Sequence, residues 1–382
     1  MRHLRRTISA ALVAAGLCGF AAGMASATTA YQQINLVSDI PGLAAFTDPN
    51  LRNPWGMSFS ATSPIWISDQ GANLATLYRA IPTISQVALA VSMPTTATGP
   101  QGPTGQVFNN TTAFQVGSTP ANFIFANLNG TIAAWNNSAG TTAQVRVTTP
   151  GAVYTGLAIG SNASGPLLYA ANGAQNRIDV FNGSFGTMNL GPNAFTNNDP
   201  RLAGLVPFNV QNIGGDIYVT YALPGRAAEI SAPLGSGAVA VYDTSGNLIR
   251  TVVAGSNLAS PWGITLAPAG FGTFANDLLV GNFSFGVSEI NAFDPLTGAF
   301  LGTLMDGAGH PLLNSGLWAL AFGNGVTGNI NTLYFNAGIN GEADGLFGAI
   351  SVPEPATLVL LAVGLLGVRV SSRYKEAHAS TD

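Results

Sequence analysis

The sequence predicts an all-β fold, a six-bladed β-propeller whose N-terminal strand closes the last blade. Two observations support this fold class: a short phrase recurs six times, and turn residues divide each repeat into about four short strands. A third is a strand-like segment ahead of the first repeat, which can supply the strand that the last repeat lacks. Because stacked blades cover one another, so long a chain needs no second core.

The recurring phrase is clearest at three tryptophans, in WGMSF from Trp55, WGITL from Trp262 and WALAF from Trp318. Weaker copies lie between them, in TGQVF, TGLAI and VPFNV. The second position of each copy is residue 56, 105, 156, 207, 263 or 319, at intervals of 49 to 56 residues. This spacing is typical of propeller blades, and a glycine or small residue there permits close approach of innermost strands at the axis.

A second phrase follows each first one, as an apolar strand that ends in a polar residue. These end positions are Asp69, Asn127, Asn172, Tyr221, Asn282 and Asn336. A third strand and, after a turn, a fourth complete the repeat, as in AVAVYD and NLIRTVV on either side of a Thr-Ser-Gly turn. Asp and Gly at such positions favour tight turns.

The sixth repeat ends at residues 346–350 and lacks an outer strand. Residues 31–37, YQQINLV, precede the first repeat and have the composition of a strand. We expect them to pair as the outermost strand of blade six, which removes open sheet edges from the ring. A β-sandwich or a β-solenoid is the alternative that the strand pattern leaves open.

Residues 1–27 have the features of a secretory signal peptide. Three arginines within the first six residues precede an apolar run, and Ala25-Ser26-Ala27 resembles a cleavage site. We therefore divide the chain into a signal peptide at 1–27, a propeller at 28–351 and a tail at 352–382. Cys18, the only cysteine, lies in the signal peptide, so we expect no disulfide or thiolate chemistry in the mature chain.

The predicted propeller is acidic. Residues 28–352 contain seven arginines, no lysine and fourteen acids, which gives a net charge of −7. Nucleic acid and acidic membrane surfaces are therefore poor partners, because phosphate contacts need clustered Lys and Arg. The high content of apolar residues, at 47% of the chain, argues against a disordered body.

The tail that begins Val352-Pro353-Glu354-Pro355 resembles the PEP-CTERM sorting signal. Thirteen uncharged residues, 356–368, follow Pro-Glu-Pro, and then come Arg369 and Arg373. The resemblance implies recognition by exosortase, a membrane-embedded cysteine transpeptidase of Gram-negative bacteria that make exopolysaccharide. It also implies processing near Pro-Glu-Pro, with the apolar run as a transient transmembrane helix in the inner membrane and the arginines on its cytoplasmic side.

The length of the apolar run supports transient rather than permanent anchoring. Thirteen helical residues span about 20 Å, whereas the hydrocarbon core of a bilayer is about 30 Å thick.

The body resembles an uncharacterised PEP-CTERM-associated family of propeller-like proteins. The resemblance rests on NLVSDIPGLAAFTDPNLRNPWG (35–56) and on the WG-type repeats. It covers essentially the whole mature chain and implies a location and a fold, but no activity.

One face of the predicted ring gathers the candidate binding residues, because the start of a blade's first strand and the end of its second share a face. These candidates are Asp69, Asn127, Asn172, Tyr221, Asn282, Asn336, Trp55, Trp262 and Trp318. The insertion 222–236, with Arg226 and Glu229, and the loop that holds His310 belong to the same face. Amides and indole faces suit a glycan or a small polar ligand. The structural alternative is that the amides tie neighbouring blades together and the tryptophans fill the core.

Metal-dependent catalysis has less support in the sequence. Six-bladed propellers of the NHL or gluconolactonase-like type include lactonases, which need several carboxylates around a divalent ion. Here the ring offers only Asp69 as a metal ligand, with Glu342 and Asp344 just after the last ring position. Ca²⁺ is the one cofactor such a set could hold. His310 is the only histidine of the body, and no GxSxG motif surrounds a serine.

These features favour an exported, non-enzymatic propeller at the cell surface or in the extracellular matrix, where it binds exopolysaccharide or another matrix component. The alternative is a lactonase-like, metal-dependent hydrolase at the same face. A third hypothesis is a structural matrix protein without a ligand. The expected partners are exosortase during sorting and a matrix polysaccharide or protein afterwards, and no nucleic acid.

Overall fold

The described chain forms six antiparallel sheets around a common axis. The computed structural model describes residues 30–353. The innermost strand of each sheet contacts the innermost strands of the sheets before and after it, and the last contacts the first, so the ring is closed. The all-β class and the six-bladed propeller are therefore confirmed.

The first blades follow chain order. Ahead of them lie β1 (Gln32–Ser38) and β2 (Phe46–Thr47). Blade one contains β3 (Pro54–Ser58), β4 (Ile65–Asp69), β5 (Leu74–Arg79), β6 (Ser85–Gln86) and β7 (Val91–Ser92). Blade two and its small hairpin contain β8 (Pro103–Phe108), β9 (Gln115–Val116), β10 (Thr119–Pro120), β11 (Phe123–Asn127), β12 (Thr131–Trp135) and β13 (Gln144–Thr148). Blade three contains β14 (Tyr154–Asn162), β15 (Gly165–Asn172) and β16 (Arg177–Asn182).

The remaining blades include the two short α-helical segments. Blade four contains β17 (Val206–Ile213), β18 (Asp216–Ala222), α1 (Arg226–Ile230), β19 (Ala238–Tyr242) and β20 (Leu248–Ala254). Blade five contains β21 (Pro261–Leu266), β22 (Leu278–Asn282), β23 (Ile290–Phe293) and β24 (Phe300–Thr303). Blade six contains β25 (Leu317–Phe322), β26 (Leu333–Ala337), α2 (Ile339–Glu342) and β27 (Leu346–Ser351). Short 3-10 turns lie at Gln70–Ala72, Asn137–Ala139, Gly173–Gln175, Pro200–Leu202 and Gly272–Phe274.

Across residues 30–353, the core is divided among the seams between neighbouring blades. In one seam, Ile124 of blade two packs with Leu168 of blade three. In another, the rings of Tyr78 in blade one and Phe347 in blade six stack with centroids 5.9 Å apart. Strand β4 is buried at every position, because a blade covered on both faces needs apolar residues on both.

Glycines lie where the innermost strands approach one another at the axis. A Cβ atom at Gly105 would lie 2.6 Å from the carbonyl carbon of Gly156, and one at Gly156 would lie 2.8 Å from the Cα of Asn209. Gly56 and Gly263 meet the backbone of the next blade in the same way. The small residue in the repeat is therefore a packing requirement, as the sequence predicted.

The N-terminal strand closes blade six, as predicted. Strand β1 pairs antiparallel with β27, with Gln32 opposite Ser351 and Ser38 opposite Leu346. The two-residue strand β2 then pairs in parallel with the outer edge of β1. The Tyr31 hydroxyl donates a hydrogen bond to the carbonyl of Phe271 at 3.1 Å, which fastens the start of this segment to blade five.

Blade three differs from the expected four strands, because the structure gives it three. Residues 189–200, NLGPNAFTNNDP, contain two prolines and several turn-forming residues, which cannot form a regular ladder. This segment crosses to blade four, where the ring of Phe195 lies 5.1 Å from that of Tyr242.

Two predicted segments fall outside the described residues. They are the signal peptide at 1–27 and most of the tail, from residue 354. Between residues 30 and 353, no helix has the length and apolar character needed to cross a membrane.

Replacing Gly156 with alanine tests the packing at the axis. We expect Gly156→Ala to lower the free energy of unfolding by about 1–3 kcal/mol, because the new Cβ meets the backbone of blade four. Urea denaturation measures this change. Gly286→Ala is the matched control, since a Cβ there meets nothing within 4 Å. Equal stability of the two variants would contradict the close-approach argument.

Candidate ligand-binding cavity at the channel mouth

The mouth face is the edge of the ring where innermost strands begin and second strands end. Pro54 at the start of β3 pairs with Asp69 at the end of β4, and Leu317 pairs with Ala337 likewise in blade six. Both α1 and α2 lie in connections at this face. The insertion 222–236 is therefore located where the sequence predicted.

An aromatic cluster occupies the mouth end of the innermost strands. Its members are Trp55, Phe208, Trp262, Phe283 and Trp318, all nearly or fully buried. The rings of Trp55 and Trp318 stack with centroids 3.5 Å apart, and Trp262 meets both edge-on. These rings come from four different blades, so the cluster joins them at the axis.

The three indole N–H groups have different partners. Trp318 Nε1 donates to Asn53 Oδ1 at 3.0 Å, and Trp262 Nε1 donates to the carbonyl of Thr155 at 2.9 Å. Trp55 Nε1 has no partner within residues 30–353, although the side chain is 3% exposed. A buried donor without an acceptor costs about 1–3 kcal/mol, so the indole of Trp55 is the least well satisfied of the three.

Arg226 lies on the aromatic cluster. It begins α1, and its guanidinium carbon is 4.1 Å from the ring centroid of Phe283 and 5.0 Å from that of Trp318. Its Nη1 donates to Glu229 Oε2 at 3.0 Å, one turn along the same helix. Cation–π contacts and an ion pair therefore hold the arginine in place.

Glu342 pairs with the same arginine from across the ring. Arg226 Nε donates to Glu342 Oε2 at 3.1 Å, and Arg226 Nη2 forms an ion pair with Glu342 Oε1. Asn53 Nδ2 donates to Glu342 Oε1 at 3.0 Å and to Gln70 Oε1 at 2.7 Å. The connections of blades four, six and one therefore meet in one polar network.

Glu229 is the more buried of the two carboxylates and is 9% exposed. Burial raises the pKa of Glu229, the charge on Arg226 lowers it, and the negative charge on Glu342 raises it. Only Oε2 of Glu229 accepts a hydrogen bond from the described residues. The second oxygen, Oε1, is therefore available to a donor from a ligand.

These residues line a cavity of about 540 Å³ at the mouth face. Arg226, Glu229 and Glu342 are its charged lining residues, and they sum to −1 when both carboxylates are ionised. The apolar part of the lining includes Trp55, Leu128, Val153 and Val206. The cavity thus combines an apolar wall with carboxylate and amide groups, the usual composition of a small-molecule site.

The six predicted ring residues lie inside the blades and do not line this cavity. Asp69, Asn127, Asn172, Asn282 and Asn336 are fully buried, and Tyr221 is 6% exposed. Asn336 Nδ2 donates to the carbonyl of Trp55 in the next blade at 3.2 Å. Asn282 Nδ2 donates to the carbonyl of Asn257 at 2.9 Å. The Asn336 contact ties two blades together, as the structural alternative expects, and the Asn282 contact holds the connection into blade five. Among the nine candidate binding residues, Trp55 alone contributes to the cavity lining.

Asp69, the candidate metal ligand, is buried within blade one. Its Oδ2 accepts a hydrogen bond from the Thr76 hydroxyl at 2.7 Å, and its Oδ1 has no partner among the described residues. Desolvation raises the pKa of the Asp69 carboxyl well above its usual range. Within residues 30–353, no three His, Cys, Asp or Glu side chains are grouped so that they could hold a metal ion. His310 is exposed, with Nδ1 3.5 Å from Asp306 Oδ2.

Sequence reasoning named Arg226, Glu229 and Glu342 one by one but did not join them, and it missed Asn53 and Gln70. The small number of charged residues in the sequence could have indicated that these three side chains pair. Only seven arginines and three glutamates occur in residues 28–352, and Arg226, Glu229 and Glu342 are three of these ten. Charged residues in such an apolar chain are candidates for pairing.

The C-terminal residues match a known sorting motif. The model of the PEP-CTERM protein-sorting motif matches residues 351–373. The chain carries this signal. The motif implies export and sorting by exosortase, and the matched segment starts at the last residue of β27.

Two uncharacterized proteins of Acanthamoeba polyphaga mimivirus are similar to this chain. One is 28% identical over 340 residues, which cover 86% of this chain and 82% of the relative. The other is 28% identical over 329 residues, which cover 82% of this chain and 84% of that relative. A streptogramin B lyase structure is similar with a TM-score of 0.50 and 12% identity, over 85% of this chain and 97% of that one. At this identity, the likeness shows the fold alone.

Replacing Asp69 with asparagine tests the cost of its burial. Because its pKa is raised on folding, the folded protein keeps a proton that the unfolded chain releases, so stability falls as pH rises from about 4 towards the folded-state pKa. We expect the Asp69→Asn variant to lack this fall. Its free energy of unfolding, relative to that of the wild type, should therefore rise by at least about 1 kcal/mol between pH 4 and pH 8. Urea denaturation across that range measures it, with the exposed Asp216→Asn as control. A pH slope unchanged from the wild type would refute the assignment.

Replacing Arg226 with methionine tests the charge network. Arg226→Met leaves Glu229 and Glu342 close together without a counter-charge. We expect a loss of about 1–3 kcal/mol, below the cost for fully buried pairs because the arginine is partly exposed. Thermal denaturation measures the loss. Arg201→Met, which breaks an exposed pair with Asp199, is the control and should change the melting temperature little. Similar losses in both variants would show that burial of the network is unimportant.

Proposed function

We propose that this exported propeller binds a sugar-containing ligand, such as a segment of exopolysaccharide, in the mouth cavity. The observation that supports this most is the lining, which joins an apolar wall at Trp55 and Val153 to the carboxylates and amides of the polar network. Apolar surface suits the faces of sugar rings, while amides and carboxylates bond hydroxyl groups. A volume of about 540 Å³ lies within the range of ligand sites.

We place the mature protein at the cell surface or in the extracellular matrix of a Gram-negative bacterium. The sorting motif supports this location, together with the signal-like residues 1–27. In this proposal the apolar residues 356–368 anchor the chain transiently in the inner membrane, and residues 28–351 form the unit that is delivered.

The hydrolase alternative has less support. It depends on Asp69 as a metal ligand, and this side chain is buried in blade one and does not line the cavity. Binding without catalysis is therefore the function that the geometry favours.

A variant that fills the cavity tests the proposal. The full chain is screened on a glycan array, and the bound glycans are titrated by calorimetry. We expect Val153→Trp to weaken binding at least tenfold, because the new indole occupies space in the cavity. Val145→Trp is the matched control, since Val145 is 44% exposed on β13 of blade two, outside the cavity lining. Binding that Val153→Trp leaves unchanged, or an array without any bound glycan, would overturn the proposal.

A further inference from the structure

The charge of the cavity restricts its ligands. Among the described lining residues, one arginine faces two glutamates, and the body around them has a net charge of −7. An anion that enters adds to this negative charge in a site partly shielded from water, where repulsion is stronger than in bulk solvent. A ligand with a positive charge instead restores neutrality.

The arginine is not free to attract an anion. Its Nε and Nη2 contact Glu342, its Nη1 contacts Glu229, and its face lies on Phe283 and Trp318. A ligand carboxylate or phosphate would have to displace one of these partners. Arg226 therefore acts as a fixed counter-charge within the network, in contrast to an arginine that points into an empty site.

Glu229 provides the free acceptor. Its Oε1 accepts no hydrogen bond from residues 30–353, while its Oε2 is held by Arg226. A protonated amine adds charge–charge attraction to its hydrogen bond with a carboxylate, whereas a hydroxyl group supplies the hydrogen bond alone. A protonated amine therefore complements this oxygen better than a hydroxyl group does.

Trp55 adds a second unsatisfied group in the same lining. Its indole N–H is buried, lacks an acceptor and belongs to a side chain that lines the cavity. Because that N–H is itself buried, Trp55 offers the cavity apolar surface rather than a donor. The free acceptor on Glu229 thus lies in the same cavity as an apolar wall.

We infer that the mouth cavity prefers a sugar that carries a free, protonated amino group, with Glu229 as acceptor of the amine and Trp55 as part of the apolar wall. This inference rests on the sugar binding proposed above and names the class of sugar. N-acetylated and acidic sugars bind more weakly, because the former lack the positive charge and the latter add a negative one.

Calorimetry with three probes tests the preference. The full chain is titrated at about pH 6, where amino groups are protonated, with a glucosamine tetramer, its fully N-acetylated counterpart and a galacturonate tetramer. We expect the glucosamine tetramer to bind at least tenfold more tightly than the acetylated one, and the galacturonate tetramer to bind most weakly. Glu229→Gln should weaken binding of the glucosamine tetramer at least tenfold and remove its advantage over the acetylated tetramer.

Glu289→Gln is the control, because Glu289 is a partly buried carboxylate outside the cavity lining. An equal loss in this variant would assign the preference to overall charge and overturn the role of the cavity. Equal or tighter binding of the acetylated or the acidic tetramer would also overturn the inference, while leaving sugar binding intact. Failure of all three probes together with an empty glycan array would instead refute the proposed function. If Glu229→Gln does not fold, the order of the three affinities measured with the wild-type protein decides whether the inference holds.

Discussion

The close approach of the six innermost strands is the constraint on which the rest of the structure depends. At Gly56, Gly105, Gly156 and Gly263 the backbone of one blade meets that of the next, and a side chain there would separate them. Polar side chains then bond across the same contacts, as Gln106 Nε2 does to the carbonyl of Gly56 at 3.0 Å. Because the strands meet at the axis and the blades diverge outward, the seams between blades widen and hold the larger apolar side chains.

The mouth cavity is a consequence of this arrangement. Trp55, Trp262 and Trp318 begin three innermost strands, so the ring brings their indoles together in the aromatic cluster. The cluster provides the apolar surface on which the Arg226 guanidinium lies, and the two glutamates balance that charge. The polar network thus depends on the non-polar packing at the axis, because the packed aromatic rings hold the arginine and its two carboxylates in position.

The blades could be predicted from the repeats in the sequence, whereas the contacts of the candidate site could not. The tryptophan phrase marked the strand starts, and residues 31–37 were correctly paired with blade six, because both follow from a period and a missing strand. The ring amides were harder, since an asparagine at a strand end has the same pattern whether it bonds a ligand or, like Asn336, the next blade's backbone. The cavity residues come from irregular connections, and Arg226 and Glu342 lie 116 residues apart, so no local pattern could join them.

The pairing of β1 with β27 also places both ends of the propeller on the face opposite the mouth. Gln32 and Ser351 lie side by side at the ring edge opposite the mouth face, whereas Ser38 and Leu346 lie at the mouth. The two ends of the propeller therefore lie at neighbouring points on its underside. The cavity opens on the opposite face of the ring. Because β27 ends at Ser351, a cut near Pro353 leaves every blade strand in place.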